Sequence, residues 1–122
     1  KSLYQHEGEI GQFELGVINA VAALDNVRWW HRNLSRGKGF CINGNLNHYP
    51  DFIIRTESGK LIVLETKGDD RDNSDSAAKL RLGKAWESLA DRQQFRYMMI
   101  FQNNAIDGAE KLADALVKLG QL

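Results

Sequence analysis

Asn47-His48-Tyr49-Pro50-Asp51-Phe52-Ile53-Ile54-Arg55-Thr56-Glu57-Ser58-Gly59-Lys60-Leu61-Ile62-Val63-Leu64-Glu65-Thr66-Lys67-Gly68 carries two apolar runs, Phe52 to Ile54 and Leu61 to Leu64, on either side of a short polar turn. Two such runs around a glycine-bearing turn predict a β-hairpin. Asp51 opens the first run, and Glu65 and Lys67 close the second. Loop length fixes how the strands pair. With Glu57-Ser58-Gly59 as a three-residue loop, Gly59 takes the left-handed position that glycine fills without steric cost. Thr56 then faces Lys60, Ile53 faces Val63, and Asp51 faces Glu65. Because side chains alternate between the faces of a strand, Asp51, Glu65 and Lys67 share one face at one end of the hairpin. A two-residue turn at Ser58-Gly59 would slip the register by one and set Asp51 opposite Thr66.

Two carboxylates held close together repel each other and invite a hard cation. Mg²⁺ prefers oxygen ligands and takes one or two protein carboxylates together with water and phosphate oxygens. Such an ion lowers the pKa of bound water and neutralises charge on a phosphate under attack. A lysine two residues on can orient that water and stabilise the crowded phosphorus. The structural alternative is a salt-bridged strand end without a ligand.

The rest of the chain is ordinary for a globular protein. It has 122 residues, 43% hydrophobic and 26% charged, and a formal net charge of zero. Zero net charge disfavours a dedicated DNA-binding protein, whose domains are usually basic, although a local basic patch suffices for a nuclease domain. Cys41 is the sole cysteine, so no internal disulfide forms, and a reducing cytoplasm is the default location. No apolar run approaches membrane-spanning length and no signal peptide is visible, so no membrane partner is expected. One domain over residues 1–122 is expected. The chain opens on Lys1 rather than methionine, which suggests a piece of a longer polypeptide.

From about Glu7 to Asp25, Ile10, Phe13, Val17, Val21 and Leu24 recur at helical spacing. Glu14 falls inside that apolar stripe, where an unpaired carboxylate is costly, so it should meet a cation. Glu7 and Glu9 read as solvated. Val27 to Arg32 reads as a strand, with Trp29 and Trp30 as core and face-capping residues. Asn33 to Gly39 reads as a loop, in which Arg36 and Lys38 are candidate phosphate contacts. Phe40 to Leu46 reads as a short irregular segment. After the hairpin, the acids from Asp69 to Asp75 fail the EF-hand pattern, because position six counted from Asp70 is Asp75 and position twelve is Arg81. They read as a polar loop ending in a helix cap at Asn73, Ser74 or Asp75. No zinc spacing follows His6-Glu7, and no P-loop occurs. Asp75 to Asp91 reads as a helix whose inner face is Ala78, Leu82, Ala85, Trp86 and Leu89. Lys79 lies on its flank as a candidate substrate contact, and Lys84 reads as exposed. Phe95 to Gln102, apolar on both faces, reads as an internal strand. Asp107-Gly108-Ala109-Glu110 reads as a capping box, opening a last helix through Leu112, Ala113, Leu116 and Leu119 that stops at Gly120. Helix, three strands, helix, strand, helix predicts an α/β fold with a mixed sheet and helices on both faces.

Pro50-Asp51 followed by Glu65-Thr66-Lys67 resembles the PD-(D/E)xK nuclease signature. Trp29-Trp30-His31-Arg32-Asn33 before it, Tyr49-Pro50-Asp51-Phe52, Glu65-Thr66-Lys67-Gly68 and Leu82-Gly83-Lys84-Ala85-Trp86 after it narrow the resemblance. In this order they are similar to the C-terminal endonuclease domain of the Res subunit of type III restriction-modification enzymes and of related helicase–nuclease proteins. The resemblance runs from about Phe13 to Phe101. It implies a restriction-endonuclease-like αβββαβ core, here with an added C-terminal helix. It implies Mg²⁺ (with Mn²⁺ as a substitute) held by Asp51 and Glu65, with the Thr66 carbonyl as a possible further ligand. Glu14 matches a first-helix glutamate that points into the family's metal site, and Lys67 matches the residue that positions the attacking water. Nuclease folds of this type often carry a basic side chain where Lys79 stands. The implied reaction is hydrolysis of double-stranded DNA to 5′-phosphate and 3′-hydroxyl ends. The implied partners are an ATP-dependent helicase or translocase upstream on the same chain and a separate methyltransferase subunit. Two other readings stay open: a non-cleaving nucleic-acid-binding or assembly module, and a stand-alone repair or junction-resolving nuclease.

Overall fold

The computed structural model describes residues 11–33, 39–44, 47–68, 73–91, 93–103 and 106–122. In order, the elements are α1 (Gln12–Ala22), β1 (Val27–Arg32), β2 (Ile42–Asn43), β3 (Asn47–His48), β4 (Phe52–Thr56), β5 (Leu61–Lys67), α2 (Asn73–Leu89), β6 (Phe95–Phe101), β7 (Glu110–Lys111) and α3 (Leu112–Gly120).

The hairpin sets the frame. In β4 and β5, Phe52 pairs with Leu64 and Ile53 with Val63. The Thr56 N–H donates to the Lys60 carbonyl at 2.9 Å. Gly59 has φ 91°, the left-handed position that a three-residue loop requires. β1 adds antiparallel to β4, with His31 opposite Ile53. β6 adds parallel to β5 through the α2 crossover, with Val63 beside Tyr97 and Glu65 beside Met99. β7 adds parallel to β6. The result is a mixed five-stranded sheet ordered β1-β4-β5-β6-β7, with β6 internal as its apolar pattern predicts.

Alternation along the strands divides the core. Phe52, Ile54, Ile62, Leu64, Met98 and Ile100 pack with Val17, Ile18 and Val21 of α1 and with Ala115 and Leu119 of α3. Val63, Tyr97, Met99 and Phe101 look the other way and pack with Leu80 of α2 and Ile42 of the small β2–β3 hairpin. Glu65 and Lys67 follow Val63 in alternation, so they belong to the α2 side. Among the described residues no helix is long and apolar enough to cross a membrane.

Several details correct the sequence reading. Residues 42–43 and 47–48 form a two-stranded ladder, where an irregular segment was expected; two-residue strands are too short to show alternation. Asp107 does not open a capping box. Gly108, at φ 88°, turns the chain so that Glu110–Lys111 joins the sheet edge, and α3 starts at Leu112 with no side-chain cap. α3 does stop at Gly120, as expected, with Gln121 capping it in a right-handed conformation. Finally, α2 presents Ser76, Leu80, Gly83 and Glu87 inward, while Ala85 is exposed and Leu89 is 89% exposed. The polar pattern hid this face. Buried Glu87 accepts the Tyr97 N–H at 2.7 Å, which satisfies it inside the core. The beginning of the predicted first helix and Arg36 and Lys38 lie outside the described residues, whereas Asn73, Ser74 and Asp75, expected to cap the second helix, already lie inside α2.

Gly83 lets α2 lie on the ring of Tyr97. A Cβ built there would stand 2.4 Å from the ring carbons, and Tyr97 is itself 1% exposed. Gly83→Ala is therefore expected to destabilise the domain by about 1–3 kcal/mol, the usual effect of overpacking. A thermal melt reads this directly, and an unchanged midpoint would contradict the packing described.

Candidate metal centre

The site forms where β5 ends. Asp51 immediately precedes β4, and its carbonyl accepts the Asn33 N–H at 2.7 Å, fixing the backbone beside the end of β1. The β4–β5 ladder ends at Phe52–Leu64, so Asp51 lies just outside it. Asp51 Oδ2 accepts both the Thr66 N–H, at 2.8 Å, and the Thr66 hydroxyl, at 2.7 Å. Thr66 thus contributes its amide and hydroxyl to holding Asp51 in place. Glu65 lies alongside, 4% exposed. Its Oε2 is 3.5 Å from Lys67 Nζ, and its Oε1 is buried without a hydrogen-bond partner.

Burial, and then the Asp51 charge, push the Glu65 pKa well above the usual carboxylate range, against the opposing pull of Lys67 and Lys79. Glu14 reaches the same cluster from α1. Burial, and then Asp51, raise its pKa, while Arg32 lowers it. The cation expected near Glu14 is thus Arg32 at the end of β1. Lys79 stands on α2 with its ammonium 3.2 Å from Asp75. Burial opposes the Lys79 charge, but Asp75 and Glu65 outweigh it and hold its pKa above the ordinary value. Asp51, Lys67 and Lys79 thus act together on Glu65, with Thr66 as the clasp, and Glu14 on the α1 side is linked to them through Asp51. Arg36 and Lys38 lie outside the described residues.

A divalent cation suits this donor set. Asp51 and Glu65 offer hard oxygens, and a buried carboxylate oxygen without a partner is a costly arrangement that a cation relieves. Among the described residues no group of three or more His, Cys, Asp or Glu side chains is assembled as a metal cage. The fit therefore rests on the two carboxylates, within the one or two that Mg²⁺ commonly takes from protein.

Sequence reading passed over one pair. His48, fully buried, places Nε2 2.6 Å from the Tyr97 hydroxyl. Burial, then Lys79 and Lys67, lower the His48 pKa to about 4, so the ring is neutral at pH 7. Burial, then Glu65 and Asp51, push the Tyr97 phenol upward. The partners are 49 residues apart in sequence, and His48 sits on a strand too short to show a pattern. No sequence signal joins them.

His48 carries a stability consequence. A histidine whose folded pKa is depressed supports the fold fully above its unfolded pKa of 6.5 and loses that support as pH falls toward 4. The loss from this residue is expected to be on the order of 3 kcal/mol. In melts from pH 7 to 4, His48→Gln should flatten the acid limb; an unchanged limb would place the loss elsewhere.

Comparison with protein-family models, curated proteins and solved structures finds no match for this chain.

Proposed function

We propose that this chain is a divalent-metal-dependent DNA endonuclease domain of the PD-(D/E)xK type, the cleavage domain of a type III restriction Res subunit or a related helicase–nuclease. The observation that carries the reading is Glu65: a buried carboxylate with one unpartnered oxygen, beside Asp51 and 3.5 Å from Lys67. The order α1, β1, β4, β5, α2, β6 supports it, since a helix, three antiparallel strands, a crossover helix and a parallel strand form the restriction-endonuclease-like core. The β2–β3 hairpin, β7 and α3 are additions to that core.

Asp51 and Glu65 hold the metal in this reading. Mg²⁺, when bound, supplies water of lowered pKa and charge neutralisation at the phosphate. Thr66 keeps the Asp51 carboxylate from rotating away. Lys67 directs its ammonium at the phosphate and the attacking oxygen, a preorganised charge in a half-dry site. Glu14 tunes the acidic cluster from α1, and Lys79 adds positive charge on the side from which DNA approaches. Duplex DNA is the substrate, with a translocase upstream on the same polypeptide and a separate methyltransferase subunit choosing the sequence. Conversion of supercoiled plasmid to nicked and linear forms, dependent on Mg²⁺ or Mn²⁺ and abolished by chelation, tests the reading. Metal-independent cutting would contradict it.

A further inference from the structure

Beside the acidic pair, on the same face of the sheet, lies a cavity of about 300 Å³ that the proposed chemistry does not use. Its origin is geometric. α2 packs on β6 and the β2–β3 hairpin, so on this face the sheet over β1 and β4 lies beyond the helix. Trp29 and His31 of β1 stand on one side of the cavity, stacked on each other with ring centroids 5.6 Å apart. Phe40, Trp86 and Phe95 stand on the other, each in edge contact with the next, at 5.5 and 5.9 Å. Trp29 thus takes the face-capping role expected of this pair. Trp30, on the opposite face, takes the core role against Phe52.

The strand register places the cavity against the site. His31, Ile53 and Val63 form one cross-strand row and line the cavity. Asp51, just before β4, and Glu65 on β5 lie two residues from that row, about 7 Å at the usual rise of a strand, while Trp29, Leu61 and Phe95 line the far end of the cavity. An aromatic cavity one row from a phosphate-binding site suits a flat ring attached to that phosphate through a sugar. Aromatic faces stack on any base without needing hydrogen bonds to it.

We propose that this cavity is a nucleobase pocket, in which one unpaired base of the bound strand stacks among Trp29, His31 and Trp86 while its phosphate lies at Asp51 and Glu65. The inference rests on the nuclease reading and narrows it. The preferred substrate carries an unpaired, bulged or flipped nucleotide at the cut, rather than an undisturbed duplex.

The test uses a 15-base-pair duplex with one bulged 2-aminopurine, and a control with that base paired, both in Ca²⁺. The bulged base should lose fluorescence on binding the wild-type chain as it stacks on tryptophan. Trp29→Leu should restore that fluorescence and weaken binding of the bulged duplex by roughly 5- to 150-fold, the range of a lost base-stacking contact. The paired duplex should change much less. Absence of binding, binding without quenching, or equal affinity of wild type and a folded Trp29→Leu for the bulged duplex would each overturn the pocket. The wild-type quench stands independently of any variant, so misfolding of Trp29→Leu does not protect the proposal. A parallel Mn²⁺ titration separates the two claims. Mn²⁺ bound without quenching overturns the pocket alone. Quenching without Mn²⁺ binding overturns the metal-dependent nuclease and leaves a base-binding module.

Discussion

Lys67→Ala is expected to reduce plasmid cleavage by about 10²–10⁴-fold while leaving divalent-metal binding within a few-fold of wild type. The magnitude is that of removing a positioned catalytic donor or proton-transfer group. Lys67 is the last residue of β5, its ammonium 3.5 Å from Glu65 Oε2, and its side chain is only 17% exposed. Water screens its charge poorly there, and nearby Lys79 is engaged by Asp75. Lys67 contributes no oxygen to the metal, so its loss acts on rate. Plasmid nicking with Mg²⁺, paired with Mn²⁺ calorimetry, reads both quantities. Wild-type cleavage by the variant would remove Lys67 from the mechanism. Loss of metal binding along with cleavage would make its role structural.

Glu65→Gln is expected to have the largest effect on the metal, weakening binding by about 100-fold or more, since truncating the charge removes one of two anionic ligands. It should also stabilise the metal-free fold at neutral and alkaline pH, and the sign follows from linkage. Burial, and then Asp51, raise the folded pKa of Glu65, so the native state holds a proton that the unfolded chain releases. Stability of the metal-free wild type therefore falls as pH rises from the unfolded value of 4.5 toward the raised folded value. Glutamine does not ionise, so the variant escapes that loss, gaining about 1–3 kcal/mol, the usual penalty of an unmet buried polar group. Mg²⁺ reverses the order, because only the wild type gains binding free energy. Melts of both proteins from pH 4.5 to 8.5, with and without Mg²⁺, check this. Parallel pH curves for the two metal-free proteins would mean that Glu65 is not a strained carboxylate.

The hairpin was legible because its signals agree. A three-residue loop, a glycine at the left-handed position and two apolar runs all give Ile53 opposite Val63, as observed. Strand β1 and internal β6 were legible for similar reasons, through their bounds and their apolar faces. What local pattern does not carry was missed. Two-residue strands such as β2 and β7 have no period, and Asp107 imitates a cap because a turn and an N-cap favour the same residue types. The buried face of α2 holds Ser76, Gly83 and Glu87, residues that a hydrophobic count assigns to solvent. At the site, pairing placed Asp51 near Glu65, but the clasp by Thr66 arises from the bend at Asp51, outside the ladder. The His48–Tyr97 pair and the Trp29–Trp86 cavity join residues far apart in sequence. Only the sheet order and the α2 crossover bring them together.

The central claim is that Asp51 and Glu65 hold a divalent cation. The most direct measurement is a calorimetric Mn²⁺ titration of the wild-type chain beside Asp51→Asn, with melts to confirm that both are folded. The account predicts saturable binding to the wild type that is lost or weakened at least tenfold in Asp51→Asn. Failure of the wild type to bind Mn²⁺, with or without DNA present, or binding that persists unchanged in the variant, would contradict it.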